Sequence, residues 1–279
     1  MERAPEDSQK NLFDDSEWKF EGFQRTTPEM HEFPPTNPLT IANWNLKRVL
    51  PSQPRFLRMQ TECSKIYSDI WVLTETHGEF VPQSNYFGIH SQTPDRESQP
   101  GEKWSSIWTR WPITSLEEYV TDKSRCVAGL IENSPFGKLV VYGTVLPWSN
   151  DPRGESKTSL ENYKENLLQQ KEDWNRLRKD FPHLLIVAGD FNQSLAPVHY
   201  YGSHEKRHLL ESVLIESGLE PVTYMKADPV YRDSPPYACI DHICIVHGSW
   251  ETISITRWPD VPDLKKADSD HFGVQVVIA

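Results

Sequence analysis

Several apolar, strand-like segments of this chain stop abruptly at residues able to bind a metal ion, and this feature most constrains its fold. TIANWN ends in Asn43 and Asn45, IWVLTE ends in Glu75, and LLIVAGDFN ends in Asp190 and Asn192. Strand ends on one edge of a sheet can converge although they lie far apart in sequence. Oxygen donors of this kind suit Mg²⁺, Mn²⁺ or Ca²⁺ better than Zn²⁺.

A further segment with the same character lies near the C-terminus, where ADSDHFGVQVVI opens with Asp268, Asp270 and His271. A strand that ends in a carboxylate is common, and Gly-Asp is an ordinary turn. No single ending therefore predicts a site, whereas the combination indicates a divalent-cation centre.

The bulk properties are those of a globular chain. The 279 residues are 37% hydrophobic and 25% charged, and no apolar run approaches the roughly 20 residues that span a bilayer. The N-terminus is acidic and has no apolar signal-like region. The four cysteines form no CxxC pair, so free thiols and a cytoplasmic location are expected. A zinc site from Cys239 and Cys244 is disfavoured, because the strand-like ICI buries small apolar residues anyway.

The net charge of −11 argues against a strongly basic nucleic-acid-binding module. Residues 1–38 hold nine acids and four bases, and thus −5 of this charge. A catalytic cation would offset part of the remainder. The acidity therefore weakens a nucleic-acid substrate without excluding it.

The chain divides into an acidic, proline-containing N-terminal extension, residues 1–38, and one domain, residues 39–279. Helical patterns cover residues 55–67, 156–179 and 205–217. Strand-like runs with Pro and Gly between them precede and follow these helices. This mixture fits a layered α/β sandwich.

The ordered motifs NWN, LTE, the strand SSIWTRWPI, AGDFN, IDHI and SDH resemble the endonuclease/exonuclease/phosphatase superfamily, which includes apurinic endonucleases and pancreatic-type deoxyribonucleases. The resemblance runs from Leu39 to Ala279. It implies a four-layer α/β sandwich in which two packed mixed β-sheets are flanked by helices.

The resemblance also implies a site. Asn45, Glu75 and Asp270 would be metal ligands for Mg²⁺ or Mn²⁺, with Glu75 the principal one. The cation would neutralise charge on the phosphoryl oxygens and on the leaving oxygen.

Four further residues would act on the substrate. Asp190 would orient the attacking water and accept its proton, and Asn192 would donate to a phosphate oxygen without repelling it. His271 would be the catalytic histidine and Asp241 its carboxylate partner, which fixes the tautomer and favours the charged form. Stabilisation of transition-state charge and action as the base both remain open for His271.

One position departs from the family pattern. Many relatives have a histidine, or a tyrosine nearby, in the strand that here reads YGTVLPW, and the aligned position holds Val145. His77, two residues after Glu75, is one replacement, and a simple strand-end histidine is the other interpretation.

Basic and aromatic residues offer further candidates. Lys47 and Arg48 follow Asn45 and either bind substrate phosphate or lie on a solvated face; Arg125 is a weaker phosphate candidate. His242 is expected to be structural, since neighbours on a strand face opposite ways. Four tryptophans either form a base-stacking surface or pack in the core: Trp104, Trp108, Trp111 and Trp148.

The leading hypothesis is a metal-dependent phosphodiesterase, with nuclease activity the first choice. The alternatives are hydrolysis of a small phosphoester or phospholipid head group, and a degenerate binding module that has lost turnover, which Val145 alone supports. Fold does not decide among these substrates. The expected partners are thus a nucleic acid or a small phosphoester, with no membrane span.

Overall fold

The computed structural model describes residues 38–94, 99–151, 157–183, 185–261, 264 and 267–279. The interpretation of residues 1–38 as an acidic extension therefore lies almost wholly outside the described residues.

The first of two six-stranded sheets has the strand order β11-β12-β1-β2-β4-β3. Its strands are β1 (Leu39–Asn45), β2 (Ile70–His77), β3 (Phe87–His90), β4 (Glu102–Thr109), β11 (Thr252–Trp258) and β12 (Gly273–Ile278). Only β1 and β2 pair in parallel among its described strands.

The second sheet has the order β5-β6-β7-β8-β10-β9. Its strands are β5 (Thr114–Ser115), β6 (Val127–Ser134), β7 (Gly137–Val145), β8 (Leu185–Asp190), β9 (Leu219–Pro221) and β10 (Asp241–Val246). Here β7 and β8 form the parallel pair. Each sheet thus carries one parallel pair near its centre.

Helices connect the strands of each parallel pair. Helix α1 (Pro54–Lys65) joins β1 to β2, and α2 (Ser159–Asp180) joins β7 to β8; α3 (His204–Glu216) and the short α4 (Pro229–Asp233) follow. A proline in the first turn favours the start of α1. Helix α2 begins with a capping box, in which Thr158 and Glu161 bond to each other's backbone N–H groups.

Alternation along the strands divides the core into layers. On β1, Leu39 and Ile41 face the interior between the sheets, while Ala42 and Trp44 pack outward with Phe56 and other residues of α1. Helices α2 and α3 cover the outer face of the second sheet. The predicted four-layer α/β sandwich of two mixed sheets is confirmed.

Several elements differ from the sequence prediction. The strand expected at SSIWTRWPI ends at Thr109, and the first of the three predicted helices is shorter by two residues at its C-terminal end. The sequence analysis did not predict β3, β9 or β11. Strands β3, β9 and β11 each lie at the edge of a sheet. Most side chains of β3 and β11 are exposed or partly exposed, so these two strands lack the apolar run that marks a buried strand.

All four cysteines are buried free thiols. Among the described residues, none of the helices combines the length and apolar character that a membrane crossing needs.

Candidate active site

The two parallel pairs place their carboxyl ends at one edge of the sandwich. Asn45 ends β1, Glu75 lies near the end of β2, and Asp190 ends β8. Asp241 begins β10 and is the register partner of Asp190 in the antiparallel pair. Both sheets therefore contribute polar groups to the same edge, as the pattern of strand endings predicts.

The direction of Glu75 depends on an unusual backbone conformation. Simple alternation would place it outward with Trp71 and Leu73. Its φ of 45° lies in the left-handed region and interrupts the alternation, and its carboxylate instead accepts a hydrogen bond from Asn45, 3.2 Å away. A non-glycine residue in this region is strained by about 1–3 kcal/mol, and such strain clusters at functional sites.

Asn45 links the two sheets. It is fully buried, and its Nδ2 donates to Glu75 Oε1 at 3.2 Å and to Asp190 Oδ2 at 3.0 Å. Its Oδ1 accepts from the backbone N–H of Lys47 at 2.8 Å. The amide thus provides positive hydrogen-bond donors between two carboxylates that would otherwise repel each other.

A second group of side chains adjoins Asp190. Asp190, Asp241 and His271 each offer a ligand-type atom, and these atoms lie within 4.8 Å of one another. His271 Nδ1 lies 2.6 Å from Asp241 Oδ2, so the predicted carboxylate–histidine pair is formed. Trp44 Nε1 donates to the His271 carbonyl at 3.1 Å and fixes the backbone there.

The buried carboxylates perturb one another. Burial, and then the charge of Asp241, raise the pKa of Asp190 to about 8, and burial raises the pKa of Glu75. Burial lowers the pKa of His271, but the adjacent Asp241 carboxylate outweighs it and raises that pKa to about 10. The site holds more negative charge than its own residues balance.

This donor set fits a divalent cation. Oδ1 of Asp241 is buried and has no hydrogen-bond partner among the described residues. Three carboxylates and one imidazole within a single buried region favour a hard cation that takes oxygen ligands. Glu75, Asp190 and Asp241 supply that chemistry, and Asn45 lies between the first two.

The AGDFN segment shapes the floor of the site. Gly189 has a φ of 150°, and a Cβ there would lie 1.9 Å from the Thr144 carbonyl oxygen, so only glycine fits. Asn192 has a left-handed φ of 48°; its N–H donates to Asp190 Oδ1 at 2.8 Å. Its Nδ2 donates to the Leu146 carbonyl at 2.9 Å, which leaves one amide hydrogen for a substrate.

Three predicted residues lie at the rim rather than in the buried group. Asp270 is exposed, and its carboxylate lies 3.0 Å from Lys47 Nζ. Arg48 Nη2 lies 3.1 Å from the buried carboxylate of Glu102. Lys47, Arg48 and Asp270 are thus engaged in ion pairs, and the Asp270 carboxylate is not among the clustered ligand atoms.

Val145 is fully buried and is the register partner of Asp190 on β7. The end of β7 thus places an apolar residue opposite Asp190. His77 does not take its place, because its ring nitrogens contact the Pro100 carbonyl and the Glu79 N–H. His242 is structural as expected; it contacts Thr223 Oγ1 and the Gln193 carbonyl.

Sequence reasoning grouped Asn43 with Asn45, but the two have different roles in the fold. Asn43 Nδ2 donates across the interior to the carbonyls of Gly189 at 2.9 Å and His242 at 3.3 Å. It therefore braces the first sheet against the second behind the site.

Tyr201 was missed by sequence reasoning, because it lies in an irregular loop with no periodic signal. Its hydroxyl bonds to Ser149, and burial followed by the nearby charge of Asp190 raises its pKa. An open recess adjoins the same edge, lined in part by Asp241, His271 and Phe272.

A sequence model of the Endonuclease/Exonuclease/phosphatase family matches residues 42–271. No match is found among curated protein sequences.

Solved structures with the same fold include three that cover most of the chain. AP endonuclease LMAP from Leishmania major is 14% identical, with a TM-score of 0.62, and the match covers 92% of this chain and 91% of that one. The human Nocturnin catalytic domain with bound sulfate is 15% identical, with a TM-score of 0.58 and coverage of 87% and 94%. D. rerio TDP2 complexed with single strand DNA product is 14% identical, with a TM-score of 0.53 and coverage of 87% and 99%.

At such identities the structures establish a shared fold and no shared substrate. The family match, however, covers most of the chain and contains every predicted site residue, from Asn45 to His271. The chain therefore belongs to the Endonuclease/Exonuclease/phosphatase family, whose members are metal-dependent phosphoester hydrolases.

Proposed function

We propose that this chain is a Mg²⁺- or Mn²⁺-dependent phosphodiesterase whose substrate is a nucleic acid. The observation that carries the proposal is the convergence of Asn45, Glu75, Asp190 and the Asp241–His271 pair from both sheets onto one edge. Buried carboxylates in excess of local positive charge are otherwise costly, because burial disfavours each charged form.

Glu75 is the principal residue that would hold the cation, with Asn45 beside it. When bound, the cation supplies charge neutralisation for the phosphoryl oxygens and the leaving oxygen. Asp270 would become a further ligand of the cation only if its carboxylate left Lys47. We propose that the Lys47–Asp270 ion pair separates when a substrate phosphate binds Lys47.

Asp190 acts as the proton acceptor for the attacking water. Its carboxylate is held from two sides, by the Asn192 N–H and the Asn45 amide, so it keeps one orientation. A raised pKa makes it a stronger base than a free aspartate. Asn192 directs its remaining amide hydrogen to a phosphate oxygen.

His271 acts as a cation toward the transition state. Asp241 holds one ring nitrogen and favours the protonated ring, so the other N–H donates to a phosphoryl oxygen as negative charge develops. The Tyr201 hydroxyl lies close enough to Asp190 and Glu75 for their charges to raise its pKa. Tyr201 is therefore a candidate second hydrogen-bond donor to the phosphate, in the role that Val145 cannot fill.

The choice of nucleic acid is supported by two relatives, one an AP endonuclease and one a TDP2 complexed with single strand DNA product. The net charge of −11 and the pairing of Lys47 and Arg48 with acids favour the second candidate, a small phosphoester.

Hydrolysis of a substrate panel separates the two. Purified protein with Mg²⁺ or Mn²⁺ is assayed on single-stranded DNA, duplex DNA, RNA, bis-p-nitrophenyl phosphate and an inositol phosphate. Glu75→Gln and His271→Ala are the inactive variants. Glu79→Gln is the matched control, because Glu79 is exposed four residues beyond Glu75.

Cleavage of a nucleic acid that EDTA and both inactive variants abolish supports the proposal. Cleavage of the small esters alone replaces it with the second candidate. Unchanged rates in Glu75→Gln and His271→Ala would refute the assigned roles, and silence across the panel would favour a binding module.

A further inference from the structure

Two partly exposed tryptophans flank the candidate site. Trp104 and Trp148 have ring centroids 5.4 Å apart, with planes tilted by 43°. Most tryptophans in the described part of the chain are buried, including Trp108. Trp111 and Trp250 are partly exposed, but both pack around Phe136. The stacking surface considered from sequence is thus not formed by all four candidates.

Trp104 lies next to Glu75 across the strands. On the antiparallel pair β2–β4, Thr74 is opposite Ser105 and Thr76 is opposite Lys103, so the backbone of Trp104 falls opposite that of Glu75 between these two pairs. Trp111, in contrast, follows the other end of β4, seven residues from Trp104, which corresponds to at most about 24 Å at 3.4 Å per residue.

Trp148 lies next to Asp190 through the loop that follows β7. The Leu146 N–H donates to the Asp190 carbonyl at 2.8 Å, and the Leu146 carbonyl accepts from Asn192. Trp148 is two residues further on, and its neighbour Ser149 bonds to Tyr201. One tryptophan therefore adjoins each half of the site.

A buried arginine fixes both rings. The Arg125 guanidinium lies 5.7 Å from the Trp104 ring and 5.6 Å from the Trp148 ring. Its side chain is 1% exposed and pairs with the fully buried Asp151 carboxylate. A phosphate cannot reach this guanidinium, which argues against the phosphate role considered for Arg125. Its contacts instead hold two aromatic side chains in place.

We propose that Trp104 and Trp148 form a stacking platform for an unpaired nucleobase adjacent to the scissile phosphate, so that the substrate is a single-stranded or locally unpaired nucleic acid. This inference rests on the proposed function. A base stacks on an aromatic ring whatever its identity, so the platform selects for unpaired bases and not for sequence. Rings already fixed by Arg125 lose little freedom when the base binds.

A double-mutant cycle that combines a protein substitution with the removal of one substrate base tests the platform. Wild type and Trp148→Ala are assayed on a single-stranded oligonucleotide, and on a series in which one base-free tetrahydrofuran nucleotide is moved along the strand. We expect Trp148→Ala to lower kcat/KM at least about fivefold on the intact strand. On the strand that lacks the stacked base, the same substitution should change kcat/KM less than twofold.

Further variants separate stacking from folding. Trp148→Phe should restore most of the activity, Trp104→Ala should repeat the Trp148→Ala pattern, and Trp111→Ala, at the far end of β4, should leave kcat/KM unchanged on both strands. Circular dichroism and Mg²⁺ titration establish that each variant is folded.

Equal losses on intact and base-free strands at every position would overturn the platform, as would an unchanged rate in both tryptophan variants; cleavage by wild type would still support the proposed function. If wild type cleaves small esters and no nucleic acid, the proposed function fails and the platform fails with it.

Discussion

Replacement of Asn43 by alanine tests whether this residue braces the two sheets or binds the cation. Asn43 is fully buried, and its amide donates to the carbonyls of Gly189 and His242 on the opposite sheet. Asn43→Ala leaves both carbonyls without this donor in a region closed to water. Asp190 directly follows Gly189 in the sequence, so the loss of the Asn43 hydrogen bond would also disturb the candidate site.

The expected loss follows from these two bonds. Gly189 and His242 remain paired with each other in the second sheet, so the change removes two buried hydrogen bonds. At about 0.5–1.5 kcal/mol for each bond, the expected loss is about 1–3 kcal/mol. Whole domains are stable by only about 5–15 kcal/mol, so the variant should remain folded at low temperature but unfold at clearly lower urea concentration. Asn166→Ala is the matched control: Asn166 also donates to a backbone carbonyl, 2.9 Å away, but on a partly exposed helix face. It should change stability by less than about 0.5 kcal/mol.

Urea unfolding followed by tryptophan fluorescence measures the difference, provided that the slope m stays constant. Mg²⁺ affinity is measured on the same samples by calorimetry. A loss of stability below about 1 kcal/mol would refute the brace. A tenfold weaker Mg²⁺ affinity at unchanged stability would instead make Asn43 a ligand, as the strand-end pattern first suggested.

The remaining predictions concern the cation and the floor of the site. Glu75→Gln should weaken Mg²⁺ binding at least about tenfold by calorimetry, whereas an equal loss in Glu79→Gln would show that the effect is not local. Because the pKa of Asp190 is raised to about 8, a cation held by Glu75 beside it would favour loss of the Asp190 proton below that pH; affinity should rise as pH rises toward 8 and then level off, with proton release seen as buffer-dependent heat. A flat profile would contradict this. Gly189→Ala forces a Cβ to 1.9 Å from the Thr144 carbonyl and should destabilise by about 3 kcal/mol or more, measured by thermal unfolding; an unchanged Tm would contradict the close approach.

The convergence of Asn45, Glu75 and Asp190 could be predicted from sequence, because apolar strands that end in polar residues have a simple geometric consequence. The carboxylate–histidine pair of Asp241 and His271 could be predicted only through the family resemblance. Nothing local to either residue indicates that they lie 2.6 Å apart.

Other features depend on long-range contacts that no local pattern encodes. Arg48 forms an ion pair with Glu102, 54 positions further along the sequence. Asp270 directly precedes the site residue His271, but its carboxylate forms an ion pair with Lys47 instead of joining the buried group. The left-handed backbone of Glu75 reverses the face that alternation predicts. The tryptophan pair requires both the register of β2–β4 and the course of the loop after β7.

The division of the site between two sheets has a thermodynamic consequence. Asn45 and Glu75 belong to one sheet and Asp190 and Asp241 to the other, so a chain with its sheets apart has no complete binding site. A cation that binds only when the two sheets are packed together stabilises the folded chain. At a free cation concentration of one hundred times its Kd, it adds about 2.7 kcal/mol to the free energy of unfolding. Cation concentration then controls how often the two halves separate, and with it the resistance of the folded chain to proteases.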